Sequence, residues 1–181
     1  MAAEVAQVGA SDPGGTADGV GLERVGNVVA FSFFITGKPI GKGRPRFRAV
    51  PKRDGGHFVQ TYTPKNTADW EQDIGEQVGV ALARLRAKGA LKGIELPLSN
   101  RVILNLRFNL PKPKSAPKKL RFQKKKPDLD NLDKSLIDAL SNIGLIKDDN
   151  LVTDISTCKR FANDAHPMGV EVELTGWLTD D

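Results

Sequence analysis

RVILNLRFNLPKPKSAPKKLRFQKKKPDLDNLDKSLIDAL, residues 101–140, runs through three patterns in succession. Val102, Leu104, Leu106, Phe108 and Leu110 alternate with Arg101, Asn105, Arg107 and Asn109, the period of a half-buried strand. A basic linker without any acid follows, KPKSAPKKLRFQKKK (112–126). Leu129, Leu132, Leu136, Ile137 and Leu140 then recur at helical spacing over 129–142, and Gly144 stops the run.

Outward from this strand–linker–helix unit the other elements fall into place. NVVAFSFFITG (27–37) is an apolar run closed by Gly37 and reads as a buried strand. Pro39, Gly41, Gly43 and Pro45 break either regular state, so a loop is expected after it. HFVQTY (57–62) is a short strand candidate. TPKNTADWEQDIGEQVGVALARLRAKG (63–89) predicts a helix with Thr63 as N-cap and Pro64 at its first position. Its core face is Trp70, Ile74, Val78, Ala81, Leu82 and Leu85, and Gly89 ends it. LVTDISTCKRF (151–161) and GVEVEL (169–174) alternate as strands, with a turn containing Asn163, Asp164 and Pro167 between them. About five strands and two helices predict an α/β (α+β) fold, a two-layer sandwich with both helices on one face of a mixed sheet. Residues 1–26, rich in Gly, Ala, Ser and Asp, read as a disordered leader before one domain at 27–178.

Composition narrows the function. With 39% hydrophobic and 27% charged residues, 181 residues are enough for one globular core. No apolar run approaches the roughly 20 residues of a membrane span, so no membrane partner is expected. The first residues lack the basic start and apolar block of a secretory signal. Cys158 is the single cysteine, which excludes an internal disulfide and a thiolate zinc cage. A cytoplasmic protein is expected. The formal net charge is +5, but residues 1–25 carry four acids against Arg24 alone, leaving +8 on the remainder. That charge concentrates in GKGRPRFRAVPKR (41–53) and in the basic linker. Clustered cations of this kind attract phosphate polyanions. Lys42, Arg44, Arg46 and Arg48 are expected on a DNA backbone, as are Lys118, Lys119, Arg121, Lys124, Lys125 and Lys126. A solvated cationic face is the plainer alternative.

Directly beside the lysines stand Asp128, Asp130 and Asp133, and Asp148 and Asp149 precede the strand at Leu151. One carboxylate would cap the helix. Three gathered together repel unless a cation sits among them. Oxygen ligands suit a hard ion, Mg²⁺ or Mn²⁺. Lys134 follows Asp130 by four residues, either as a helix-surface ion pair or as an ammonium poised at a phosphate oxygen. An EF-hand is excluded, because counting from Asp128 puts Asp133 where glycine is needed and Ala139 where the bidentate glutamate belongs. His57 and His166 are too few for a zinc site, and GKGRPRF lacks the Lys-Ser/Thr ending of a P-loop. Trp70 and Trp177 read as core or interface residues. Phe122, alone among lysines, suits either a junction wedge or a dimer surface. Lysines that draw in a phosphodiester, next to carboxylates that hold a metal, make a metal nuclease. The rival from another class is a non-catalytic DNA-binding module on the same surfaces.

KPDLDNLDKSLIDAL (126–140) followed by KDDNLV (147–152) resembles the RusA family of Holliday junction resolvases, mostly phage or prophage endonucleases. FFITGKPIGKGRPRF (33–47) resembles that family's opening strand and basic loop, and YTPKNTADWE (62–71) its lead into the first helix. FNLPKPKSAPKK (108–119) and GVEVEL (169–174) extend the likeness over residues 29–175. The resemblance implies Mg²⁺-binding catalytic roles for Asp128, Asp130 and Asp149, an essential lysine in Lys134, and in Asp148 the acid before the third ligand. It also implies a homodimer that nicks four-way junctions symmetrically, in recombination and repair. The leader and the Ser-Asn of LSNIGLIK (140–147), where relatives often show Asn-Gly, depart from the family's pattern.

Overall fold

The computed structural model describes residues 20–51, 53 and 55–179. Five strands form the main sheet: β1 (Val20–Val25), β2 (Val28–Thr36), β5 (Val102–Leu110), β6 (Val152–Phe161) and β7 (Gly169–Trp177). Their spatial order is β1-β2-β7-β5-β6, antiparallel throughout except for the parallel pair β5/β6. A parallel pair needs a crossover connection, and the chain from 111 to 151, with helix α2 (Leu129–Asn142), supplies it. Helix α1 (Lys65–Ala87) lies against α2 and β2.

Alternation decides the faces. Val29, Phe31, Phe33 and Ile35 of β2 join Leu104, Leu106 and Phe108 of β5 and Val170, Val172 and Leu174 of β7 in one apolar face. Trp70, Ile74, Val78, Leu82 and Leu85 of α1 and Leu132, Leu136, Ile137 and Leu140 of α2 close over it, while Ala81 and Leu129 are half-buried at its edge. The opposite face is polar. There Arg160 binds Glu171 at 2.6 Å and the buried Asn109 at 2.7 Å, and Arg107 binds Glu173 at 3.1 Å. The expected α+β sandwich with a mixed sheet is the fold observed.

Three local expectations are corrected. The expected leader overlaps β1, whose residues pair with β2 from Val20↔Phe33 to Val25↔Val28. Gly26 (φ 58°) and Asn27 make the two-residue hairpin turn between them. The rest of that leader, residues 1–19, lies outside the described residues. Second, His57–Tyr62 is not in the main sheet. As β4 it pairs with β3 (Arg46–Pro51), inside the stretch expected to be loop, in a separate two-stranded ribbon. Pro45 ends the broken stretch, and alternation resumes at Arg46. Third, α1 is capped by Pro64 (φ −54°, ψ 137°) rather than Thr63, with no side-chain cap bond. The extended ψ leaves Pro64 outside the helix, and its carbonyl accepts from the amides of Thr67 and Ala68 at 3.0 and 3.1 Å.

Candidate active site

The site is assembled where the front of α2 meets two returning segments. Asp128 is the N-cap residue of α2, yet its carboxylate makes no capping bond; its backbone carbonyl accepts from Leu132 instead. Asp130 sits in the first turn, and neither its carboxylate nor that of Asp128 has a hydrogen-bond or ion-pair partner among the described residues. Capping therefore does not account for either side chain. Asp133 turns the other way, into the layer between α2 and β6, and is 9% exposed. Burial pushes its carboxyl above the usual carboxylate range, and the charge of Asp130 adds to the shift. Thr157 of β6 lies beside it and favours the carboxylate, but Asp133 Oδ1 and Thr157 Oγ1 are both buried without hydrogen-bond geometry to any partner among the described residues.

Asp149 arrives from the far end of the same crossover. After α2, Gly144 (φ 74°) turns the chain back, and Leu98 holds the return segment by donating to the Leu145 carbonyl and accepting from the Lys147 amide, both at 2.9 Å. Asp148 accepts from the Asn150 amide at 2.9 Å and opens a single 3₁₀ turn, Asp149–Leu151. Asp149 thereby meets the Lys134 ammonium. Lys134 stands about 6 Å along the helix axis from Asp130. The ammonium also binds Asp138 Oδ1 at 2.9 Å. Asp149 and Asp138 together hold Lys134 well above the ordinary lysine range, and Lys134 in turn holds the Asp149 carboxyl below the usual carboxylate range. Both are about half exposed, so the pair sits at the surface where a substrate can reach it.

The structure thus brings Lys134 and Asp149 together, one helical turn from Asp130. Among the described residues it does not gather three carboxylates into a group that could hold a metal ion, and Asp149 is engaged by the lysine. The donor set itself suits a hard divalent ion: two unpartnered carboxylates at the helix front and a third, accessible one beyond the lysine.

Lys42 departs from the other expected DNA contacts. Its ammonium is held at 2.7 Å by Glu71 of α1 and at 2.8 Å by Asp138 Oδ2 of α2, under the loop. Burial by itself would lower its pKa, but the bonds to Asp138 and Glu71 outweigh it and the net shift is upward. Glu71 and Asp138 are the members of the site that sequence reasoning missed. Asp138 lies four residues after Lys134 and was within reach of a helical-spacing argument; nothing in the sequence matches Glu71 to Lys42.

The remaining cations face solvent. Arg44 and Arg46 are exposed and unpaired among the described residues. Arg48 is ordered by Gln60 across the ribbon at 2.8 Å and lies 5.8 Å from the Tyr62 ring centre. The ribbon is exposed along nearly its whole length, including Phe47 and Val59. The linker is tied down by its backbone. Phe161 donates to the Arg121 carbonyl at 2.7 Å, and Lys159 donates to the Lys125 and Pro127 carbonyls at 2.8 and 2.6 Å. That leaves Lys118, Lys119, Arg121, Lys124, Lys125 and Lys126 exposed along the segment that leads into α2. Phe122, 60% exposed, stands among them. Trp70 is a core residue, and Arg101 stacks over Trp177 at 5.0 Å.

The described surface thus carries an exposed lysine–aspartate pair and exposed cations on the ribbon and the linker. A family model described as Endodeoxyribonuclease RusA matches residues 36–175, more than three quarters of the chain. The chain belongs to the RusA endodeoxyribonuclease family, Holliday junction resolvases that act on branched DNA. Enzymes of this type generally depend on a divalent metal. No curated protein matches the chain at a significant level. None of the described helices is long and apolar enough to cross a membrane.

Proposed function

We propose that this chain resolves four-way DNA junctions by symmetric, Mg²⁺-dependent phosphodiester hydrolysis, acting as a homodimer in recombination and repair in the bacterial cytoplasm. Asp128, Asp130 and Asp149 would hold the ion, and Mn²⁺ would substitute for it. Such an ion, when bound, supplies charge neutralisation at the scissile phosphate and a more acidic water.

The chain's own residues do the rest. Lys134, kept charged by its two carboxylate partners, offers a positive hydrogen-bond donor to the phosphoryl oxygen on which charge accumulates. Arg44, Arg46 and Arg48 on one side, and Lys118, Lys119, Arg121 and Lys124–Lys126 on the other, bind the arms through their phosphates. The observation that carries this reading is the Lys134–Asp149 pair beside two carboxylates that neither cap the helix nor pair with a cation.

The test is a substrate panel of four-way, flap and linear duplex DNA, with Mg²⁺ and with EDTA. Junction cutting that needs the metal supports the proposal. Cutting confined to flaps or duplex reassigns the substrate, and binding without cutting in any divalent ion leaves a DNA-binding module. Sedimentation of the chain, alone and with junction DNA, tests the dimer.

A further inference from the structure

The segment Gly41–Gly43 is threaded between the fronts of both helices. The Lys42 amide donates to the Asn131 carbonyl of α2 at 2.7 Å, and the Gly43 amide donates to Thr67 Oγ1 of α1 at 3.2 Å. Side chains are excluded on either flank: a Cβ on Gly41 would lie 3.0 Å from Asn131 Cβ, and one on Gly43 only 2.8 Å from Pro64 Cγ. The backbone is therefore clamped on both flanks of Lys42, whose side chain turns inward. It enters the cleft between the helices, where Glu71 takes it from α1 and Asp138 from α2. Asp138 is shared between two ammonium groups, Lys42 on Oδ2 and Lys134 on Oδ1. One row of alternating charge thus runs Glu71, Lys42, Asp138, Lys134, Asp149.

We infer that Lys42 is a positioning residue: by holding one oxygen of Asp138 it fixes the other, and so fixes where the Lys134 ammonium stands in front of Asp149. This rests on the reading of Lys134 as the lysine that serves cleavage. Lys134 ends a flexible four-carbon stem and is 49% exposed, so its place is set by its partners and not by packing. Without Lys42, Asp138 is free to turn both oxygens to Lys134 and draw it from Asp149. Glu71, at 14% exposure, loses its cation at the same time. The role is distinct from phosphate binding, because the ammonium is already engaged on two carboxylates beneath the loop.

Three variants separate the possibilities: Lys42→Met, Lys42→Arg, and Lys42→Met combined with Glu71→Gln. Positioning errors of this size cost roughly 10–100-fold in turnover, which is the loss expected for Lys42→Met at saturating junction DNA. KM and the salt dependence of binding should stay within about twofold of wild type, since no phosphate contact is removed. Lys42→Arg keeps a cation on both acids and should recover most of the rate. The double variant removes the unpaired Glu71 charge and should recover Tm without recovering turnover.

A second readout does not need cleavage. The ¹⁵N-lysine ammonium signal of Lys134, slowed in exchange by its two partners, should broaden or vanish in Lys42→Met. Turnover within twofold of wild type overturns the inference. So does an affinity loss with a salt slope shallower by about one, which marks a phosphate contact. Recovery of turnover by the double variant, or an unchanged Lys134 signal, overturns it as well. Should wild type cut no DNA, the proposed function falls, and the ammonium signal still decides the positioning role.

Discussion

Lys134 of α2 is hydrogen-bonded to Asp149, fifteen residues later, across the mouth of the crossover that joins the two parallel strands. A raised lysine and a lowered aspartate define a wide window. The contribution of Asp149 is present above its unfolded pKa near 3.9 and is lost as pH falls through its lower folded value. That of Lys134 is present below about 10.4 and is lost only as pH rises through its still higher folded value. The pair is charged throughout the range in which a nuclease is assayed. Cleavage between pH 7 and 9 should therefore show no inflection from this lysine. Lys134→Arg should keep the shape of the pH–rate profile, and a limb that moves with this substitution would contradict the assignment.

Asp130→Asn should abolish junction cleavage, by a factor on the order of 10² or more, while binding persists or tightens because a negative charge facing DNA is removed. Single-turnover cleavage and gel-shift titration measure the two separately. Equal loss of both would count against a catalytic role.

On the ribbon, Arg46→Ala should weaken binding to junctions of any sequence and reduce the salt slope by about one, the signature of one lost phosphate contact. Arg48→Ala should do the same and also free Gln60 and Tyr62, which order it. Titrations at four or five salt concentrations suffice. An unchanged slope would remove the ribbon from the interface.

Asp133→Asn should stabilise the fold at neutral pH. Its raised folded pKa means the penalty for the charged form is absent below about pH 3.9 and grows as pH rises through the folded value. A neutral amide in its place can bond Thr157, so a gain of about 1 kcal/mol is expected at pH 7 and little at pH 4. Urea denaturation at the two pH values checks both size and sign; equal shifts at both would mean burial of the charge is not the cause.

Gly43→Ala puts a methyl group 2.8 Å from the ring of Pro64, which has little freedom to move. A loss of about 1–3 kcal/mol is expected, as for overpacking elsewhere. Gly55→Ala makes the contrast: no atom lies within 4 Å, and only its backbone conformation (φ 84°) resists. Thermal unfolding of the two variants compares steric crowding with backbone strain.

Much of this architecture was legible because long alternating or helical runs have one reading. The strand over 101–110 and the helix over 129–142 are observed almost to the residue, and the carboxylates stand out because capping needs only one of them. β1 was hidden by composition: Gly, Ala and Asp upstream made the whole segment read as leader. Yet VGLERV is followed by Gly26-Asn27 and an apolar run, a hairpin signal that was present. The ribbon was hidden because Pro45 and Pro51 bracket five residues that bury almost nothing, so hydrophobic periodicity had little to register. Lys42 was misleading for a different reason. A lysine between arginines reads as one more surface cation, and only the folded arrangement of α1 against α2 places two acids beneath it.

The ribbon's exposure has an evolutionary corollary. Because β3 and β4 lend almost no side chain to the interior, their sequence is under little obligation to the core. This hairpin is a cassette: its length and charge can change at little cost to the interior, provided the clamped glycine–lysine–glycine segment at its root is left intact.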